Sequence, residues 1–316
     1  MKKRPLGTSD LETAPLVFGG NVFGWTADKA RSFALLDAFT DAGFNAVDTA
    51  DAYSRWVPGN SGGESETILG EWLKARGSRD RVLVLTKVGS DMGQGHNDLS
   101  PGWIEQAVED SLRRLQTDYI DLYQTHWPDP RTPQEETLRT LDRLVQSGKV
   151  RAIGVSNHDA VQTAEALAIS DREGLARYAT LQPHYNLYSR DTFEGPLQDL
   201  AVAEGLVAIT YFSLESGFLS GKYRTVADIA GTSRERMLSD KFDARGLRIL
   251  QALHQVAERN GVTPAQASLA WLLSRPGVAA PIVSATSLEQ LADTLKAAEV
   301  VLPQADLDVL TAASEA

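Results

Sequence analysis

Apolar residues in this chain gather into short runs rich in β-branched side chains, separated by longer stretches in which they recur every three or four positions. The runs cover residues 14–19, 46–49, 82–88, 120–125, 150–155, 178–182, 206–211 and, after a longer gap, 279–283. Most are nearly continuous rather than alternating, the pattern of a strand covered by helices on at least one face. The stretches between them read as amphipathic helices. Ser61 and Glu64 have the spacing of a capping box, and Ile68, Leu69, Trp72 and Leu73 follow as one stripe. Ser100 before Pro101 makes a favourable cap and first position, with Ile104, Val108, Leu112 and Leu115 along one face. Pro133 opens another helix, with Leu138, Leu141 and Leu144 inside it and Gly148 as its stop. Helical periodicity returns over residues 160–168, 193–204, 246–260 and 288–298.

Eight strands, each followed by a helix, predict an α/β fold of the (β/α)8 TIM-barrel type, which needs about 250 residues before additions. An open doubly wound sheet would want a glycine-rich turn after its first strand, and Phe18-Gly19-Gly20-Asn21 is not that turn. Three additions stand outside the repeat. Residues 4–13, built around Leu6-Gly7-Thr8-Ser9, are expected to form an N-terminal hairpin that plugs the barrel's lower end. A long insert separates strands seven and eight; residues 215–240 carry Gly, Ser and charge without periodicity, and Thr263-Pro264 starts an extra helix. A C-terminal helix is expected over residues 303–310, so residues 1–316 read as a single domain.

Composition narrows the chemistry. The 316 residues are 42% hydrophobic, ample for one large core. No run approaches the roughly 20 apolar residues that span a bilayer, and no apolar segment follows the basic start Met1-Lys2-Lys3-Arg4-Pro5. A cytoplasmic protein without a membrane partner is therefore expected. The absence of cysteine excludes disulfides, thiolate metal sites and a cysteine nucleophile. A net charge of −11, with Lys and Arg scattered, argues against a nucleic-acid partner.

In barrels of this type the chemistry sits where strands hand over to the following loops. Those positions hold Asp48, Lys87, His126, Asn157, Gln182, Tyr211 and Ser284. Singly, each has an ordinary explanation in capping or structural pairing; as a set they are harder to explain that way. A lysine inside a barrel mouth needs a partner, because an isolated buried charge is costly, and Asp48 on the adjacent strand supplies one. Tyr53, beyond Asp48, is then expected near Lys87 and His126. An unperturbed phenol titrates near ~10 and is an acid at neutral pH. A cation at about 4 Å in an effective dielectric of about 20 is worth roughly 4 kcal/mol, which would ease proton release. Tyr53 thus reads as a proton donor, Lys87 as its tuning cation, Asp48 as the cation's holder and His126 as an orienting imidazole.

These four residues, in this order and on these strands, resemble the catalytic tetrad of the aldo-keto reductases. The resemblance extends over nearly the whole chain, through Gly63-Glu64-Ser65-Glu66-Thr67-Ile68-Leu69-Gly70, Gly154-Val155-Ser156-Asn157, Gly217-Phe218-Leu219-Ser220-Gly221-Lys222-Tyr223 and Ala285-Thr286-Ser287-Leu288-Glu289-Gln290-Leu291. It implies a nicotinamide dinucleotide, NADP(H) in preference to NAD(H), extended across the barrel mouth without a Rossmann fold. By position, Ser156, Asn157 and Gln182 would hold the carboxamide, and Tyr211 would stack on the nicotinamide. Phe212, Ser213, Leu214 and Ser216, with Lys222, would cover the pyrophosphate. Thr286 and Gln290 would approach the adenosine phosphate end, with Ser284 and Asp293 as further cofactor contacts and Arg234 and Arg245 as further phosphate contacts. The start of a helix suits phosphate independently, since its first N–H groups are free, although Gln290 also has capping-box spacing with Ser287. Ser213 stands where many members have Pro, Glu215 where a small residue is usual, and Thr294 where Asn is frequent.

The implied reaction is reduction of an aldehyde or ketone, with hydride passing from nicotinamide C4 while Tyr53 protonates the oxygen. Tyr53 and His126 would both donate hydrogen bonds to the developing oxyanion. Trp25, Trp56 and Trp127 flank the expected mouth and suggest an apolar pocket for a small carbonyl substrate; packing is their ordinary alternative. Other chemistries fit less well. A Schiff-base aldolase would use Lys87 but leave Tyr53 and the later strand ends without a task. A glycosidase needs two facing carboxylates, and only Asp48 sits at a strand tip. His96, His158, His184 and His254 show no ligand spacing, so no metal is expected. The alternative to an active reductase is a nicotinamide-binding sensor or regulatory subunit with little turnover.

Overall fold

The computed structural model describes residues 1–232 and 235–315. An antiparallel hairpin, β1 (Arg4–Pro5) with β2 (Glu12–Thr13), precedes the main sheet. Strands β3 (Val17–Gly19), β4 (Ala46–Asp48), β5 (Leu83–Val88), β6 (Ile120–Thr125), β7 (Val150–Ser156), β8 (Tyr178–Gln182), β9 (Val207–Thr210) and β10 (Val278–Val283) pair in parallel. Each pairs with the next, and β10 returns to β3 to close a barrel. The helices α1 (Lys29–Asp41), α2 (Glu64–Arg76), α3 (Pro101–Leu115), α4 (Gln134–Gln146), α5 (Ala160–Glu173) and α6 (Pro196–Glu204) form the crossovers. The insert carries α7 (Glu235–Leu238), α8 (Ala244–Asn260) and α9 (Pro264–Ser274); α10 (Leu288–Leu295) and α11 (Gln304–Ala313) follow β10. This is the (β/α)8 barrel that the periodicity predicts.

Local chemistry moves several boundaries. Gly63, with φ +84°, caps α2, so Ser61 is not the cap; the Glu64 carboxylate instead accepts from the backbone N–H of Ser61 at 2.8 Å. Helix α6 starts at Pro196 rather than at residue 193, and Phe193 is a core residue. Asp243 accepts from Gly246 N and starts α8 two residues early. The capping box of Thr263 and Gln266 holds the start of α9. Residues 215–240 lack periodicity yet contain short helical turns at Glu215–Ser220, Val226–Ile229 and Glu235–Leu238.

Period-two alternation divides the apolar side chains into two layers. Val17, Ala46, Leu85, Leu122, Ala152, Ile209, Ala280 and Ile282 point into the barrel, where Leu6 and Leu11 of the hairpin pack on them and close its lower end. The other strand residues pack outward against the helices, with Trp72, Tyr123 and Trp271 among the largest buried side chains. Two glycines mark close approaches. A Cβ on Gly70 would lie 2.2 Å from Arg114 O where α2 meets α3, and one on Gly154 would lie 2.3 Å from Thr180 Oγ1 inside the barrel.

Candidate active site

The inner-layer register carries on into the polar residues at the upper end. Asp48 stands two past Ala46, Lys87 two past Leu85, Tyr211 two past Ile209 and Ser284 two past Ile282. Gln182 follows Thr180, and Ser156 follows Gly154, by the same step. The side chains that fill the barrel therefore give way, one pleat higher, to those expected at the site. Asn157 breaks the alternation: its φ of +59° turns the chain out of β7.

Asp48, Lys87, Tyr53 and Gln182 meet in one hydrogen-bonded group. Lys87 Nζ donates to Asp48 Oδ2 at 2.7 Å, to Thr49 O at 2.7 Å and to the Tyr53 oxygen at 2.9 Å. Tyr53 donates to Asp48 Oδ2 at 3.0 Å, and Gln182 Nε2 donates to Asp48 Oδ1 at 2.8 Å from directly across the barrel. The Lys87 and Asp48 side chains are 0% and 1% exposed, so the lysine's three donors are matched by three acceptors with no room for water. Burial lowers the pKa of Lys87, against the pull of Asp48. Tyr53 departs from the expectation that its cation would ease proton release. Burial, then the Asp48 charge, push it well above the ordinary phenol value, and the resting group is firmly protonated.

The His126 ring lies 6.0 Å from the Tyr53 ring, centroid to centroid. Burial, then the charge of Lys87, lower its pKa well below the usual value, so the ring is neutral. Its Nδ1 is 2.9 Å from Ser90 Oγ. Trp127 stacks on His126 at 6.0 Å, Trp56 meets Tyr53 edge-on at 6.1 Å, and Trp25 meets Trp56 at 5.8 Å. The three indoles are exposed and rim the tetrad on one side.

The residues expected along a cofactor fall into two groups. On the mouth, Asn157 Nδ2 donates to His126 O and Ser156 Oγ, and its Oδ1 accepts from the Tyr211 hydroxyl at 2.7 Å. Ser156 Oγ donates to Gln182 O at 2.8 Å. One face of Tyr211 is stacked on His184 at 5.3 Å. Phe212 is 44% exposed with φ +49°. Ser284 Oγ lies against Gly19 O and Asn21 Oδ1. Further out, Lys222 is exposed, and Ser287 caps α10 by accepting from Gln290 N at 3.2 Å. Gln290 Oε1 accepts from Thr286 N at 3.0 Å, so both residues brace the start of that helix.

Several others face away or are already engaged. Ser213 is buried and donates to Thr210 O at 2.9 Å; Leu214 packs on the core; Ser216 has φ +55°. Asp293 accepts from Gln266 Nε2 at 2.9 Å and so tethers α10 to α9. Arg245 corrects the expectation of a phosphate contact: its guanidinium donates to the carbonyls of Tyr188, Ser314 and Glu315 and ties down the C-terminus. Arg234 lies outside the described residues. Glu215 points inward, where it accepts from His184 Nε2 (2.7 Å), Asn186 Nδ2 (2.6 Å) and Ser189 Oγ (3.2 Å) and pairs with Lys241 Nζ (2.9 Å).

Two neighbours of the site were not singled out by sequence. Asp51 is buried on the turn between Asp48 and Tyr53, and neither carboxyl oxygen has a hydrogen-bond partner among the described residues. Burial, then the nearby Glu66, raise it to about 8 against the pull of Arg114. Ser90, against His126, is the other; a serine in a loop carries no sequence signal of such a role.

The model of the aldo/keto reductase family matches residues 15–315. The chain belongs to the aldo/keto reductase family. Similar relatives include Protein tas of Escherichia coli (33% identical, over 94% of this chain and 92% of its own length) and aldo-keto reductase YhdN of Bacillus subtilis (36%, over 82% and 76%). A probable voltage-gated potassium channel subunit beta of Oryza sativa is 35% identical over 95% of this chain and 92% of its own. Membership makes the protein an oxidoreductase of the carbonyl-reducing kind, in a family that generally uses nicotinamide cofactors. The donor set of this family member fits such a cofactor: hydroxyl and amide groups at the mouth, a tyrosine ring backed on one face, and a lysine and a capped helix start further out. Among the described residues no helix is long and apolar enough to cross a membrane, and no acidic or histidine cluster could hold a metal ion.

Proposed function

We propose that this aldo/keto reductase reduces a small aldehyde or ketone with NADPH, and that Tyr53 supplies the proton. The observation that carries the reading is the Tyr53 hydroxyl at the mouth, held between the Asp48 carboxylate and the Lys87 ammonium. When bound, the nicotinamide supplies the hydride. Tyr53 gives its proton to the carbonyl oxygen, and Lys87, 2.9 Å from the phenol oxygen, stabilises the phenolate left behind. Asp48 keeps Lys87 charged and aimed, and Gln182 keeps Asp48 aimed. His126 donates a second hydrogen bond to the oxygen as negative charge develops. Ser156, Asn157, Gln182, Tyr211 and Ser284 would hold the nicotinamide end, while the exposed Phe212 and Lys222 would cover the pyrophosphate. Thr286 and Gln290 beside the start of α10 would receive the adenosine phosphate. The Trp25, Trp56 and Trp127 rim would set the apolar part of the substrate site.

A carbonyl panel followed by NADPH and NADH oxidation tests the reading directly. Tyr53→Phe is expected to lower kcat by about 10²–10⁴-fold with NADPH binding retained; near-normal turnover would sink the assignment. The Oryza sativa relative supports a second reading, a regulatory subunit that binds nicotinamide. NADPH binding without turnover on any carbonyl in the panel would favour it.

A further inference from the structure

His126 is fixed by its backbone. Its N–H donates to Val88 O at 2.8 Å, and its carbonyl accepts from Asn157 Nδ2 at 2.9 Å. What these bonds leave open is which ring nitrogen carries the proton. A neutral imidazole has one donor and one acceptor nitrogen, and the partner of one decides the role of the other. The partner of Nδ1 is Ser90 Oγ, at 2.9 Å on the loop after β5; Nε2 has no hydrogen-bond partner among the described residues.

Two arrangements satisfy that distance. If the Ser90 hydroxyl donates, Nδ1 accepts and Nε2 carries the proton. If Nδ1 donates, the serine's own proton needs another acceptor, and Ser90 Oγ has no second partner among the described residues. Ser90 is nearly buried, so a stranded hydroxyl proton costs more than the hydrogen bond is worth. The first arrangement wins. We propose that Ser90 is a positioning residue that donates to His126 Nδ1 and so fixes the proton on Nε2, the nitrogen free to donate to a carbonyl oxygen. A serine that accepted instead would turn a lone pair toward that oxygen and repel it. The effect on turnover rests on the reductase reading above; the tautomer does not.

The test is nitrogen NMR of the full-length, 15N-histidine-labelled chain with NADPH added, His126 being assigned by its loss in His126→Gln. The expected spectrum of the unmodified protein has Nδ1 as acceptor and Nε2 protonated at neutral pH. Ser90→Ala is expected to mix the two forms and lower kcat by about twofold, as the productive tautomer falls toward half of the population, with the KM for NADPH unmoved. Ser90→Thr, which keeps the hydroxyl, is expected to restore both. A protonated Nδ1 in the unmodified protein, or an unchanged tautomer in Ser90→Ala, would overturn the proposal. The unmodified spectrum decides even if the alanine variant does not fold. The expected tautomer in a protein that reduces no carbonyl would support the role of Ser90 and overturn the reductase reading instead.

Discussion

The turn behind the tetrad and the root of the insert each bury a carboxyl group, Asp51 in the first and Glu215 in the second. Asp51 is pushed up to about 8, whereas Glu215 is held at about 2. Burial acts upward on both, and what stands opposite decides between them. Asp51 makes no well-formed hydrogen bond among the described residues, and Glu66 adds repulsion; Arg114, the neighbouring Ala52 N–H and Lys87 offset only part of it. Around Glu215, His184, Lys241 and Asn186 outweigh the cost of desolvation. One carboxyl therefore keeps its proton at neutral pH, and the other stays ionised through any ordinary working range. The contrast also accounts for a carboxylate where a small residue is usual, since Glu215 turns its charge inward to His184, Asn186 and Lys241.

The largest test of that contrast lies at Asp51. Its folded pKa stands above the unfolded value of about 3.9, so the folded state keeps a proton that the unfolded chain releases. Its contribution to stability is full below about pH 4 and is lost as pH rises through about 8, at up to about 1.4 kcal/mol per pH unit. Asp51→Asn should remove that slope. Urea unfolding of both proteins across this range measures it, and parallel curves would mean that Asp51 has a partner in solution. Next comes Lys87→Met, which takes from Asp48 its directly bonded cation and leaves only the Tyr53 and Gln182 donors. A loss of about 3–5 kcal/mol at neutral pH is expected. An unfolding midpoint insensitive to this change would show that the pair is not desolvated. The smallest effect is at Glu215. Its folded pKa lies below the unfolded value of about 4.3, so its stabilisation is present above that value and is lost as pH falls toward 2. Glu215→Gln should cost about 3 kcal/mol at neutral pH, with the two proteins converging in acid; a constant difference at all pH values would assign the effect to shape rather than charge.

The barrel was legible because eight β-branched runs alternate with helical stripes, and the inner layer then fixes which strand-end residues face the mouth. Asp48 and Lys87 were legible for the same reason, since a charged side chain two residues beyond an inward apolar one has few other places to go; His126 was legible because it closes the apolar run of β6. The short turns in the insert were not, since their few residues carry no period. The Gln182–Asp48 bond joins strands on opposite sides of the barrel, which no local pattern encodes. Tyr53 shows a different limit. Lys87 and Asp48 both neighbour it, and sequence order alone does not say that burial and the carboxylate prevail over the cation. Asp51 sits in the same stretch as Asp48, yet aspartates in turns are common, and only packing distinguishes the buried one. Glu215 stood out as unusual for its position, but His184, Asn186 and Lys241, which account for it, come from other segments.

The Gln182–Asp48 bond bears on how the site comes into being. Its two ends are 134 residues apart in sequence, so a chain still being synthesised holds Asp48, Tyr53 and Lys87 long before Gln182 exists to steady them. Contacts of such separation form only after the intervening chain has paid its closure entropy. Tyr53 and Asp48 are thus steadied only once the strand that faces them across the barrel is in place, and a partly made barrel has the right residues without their final arrangement.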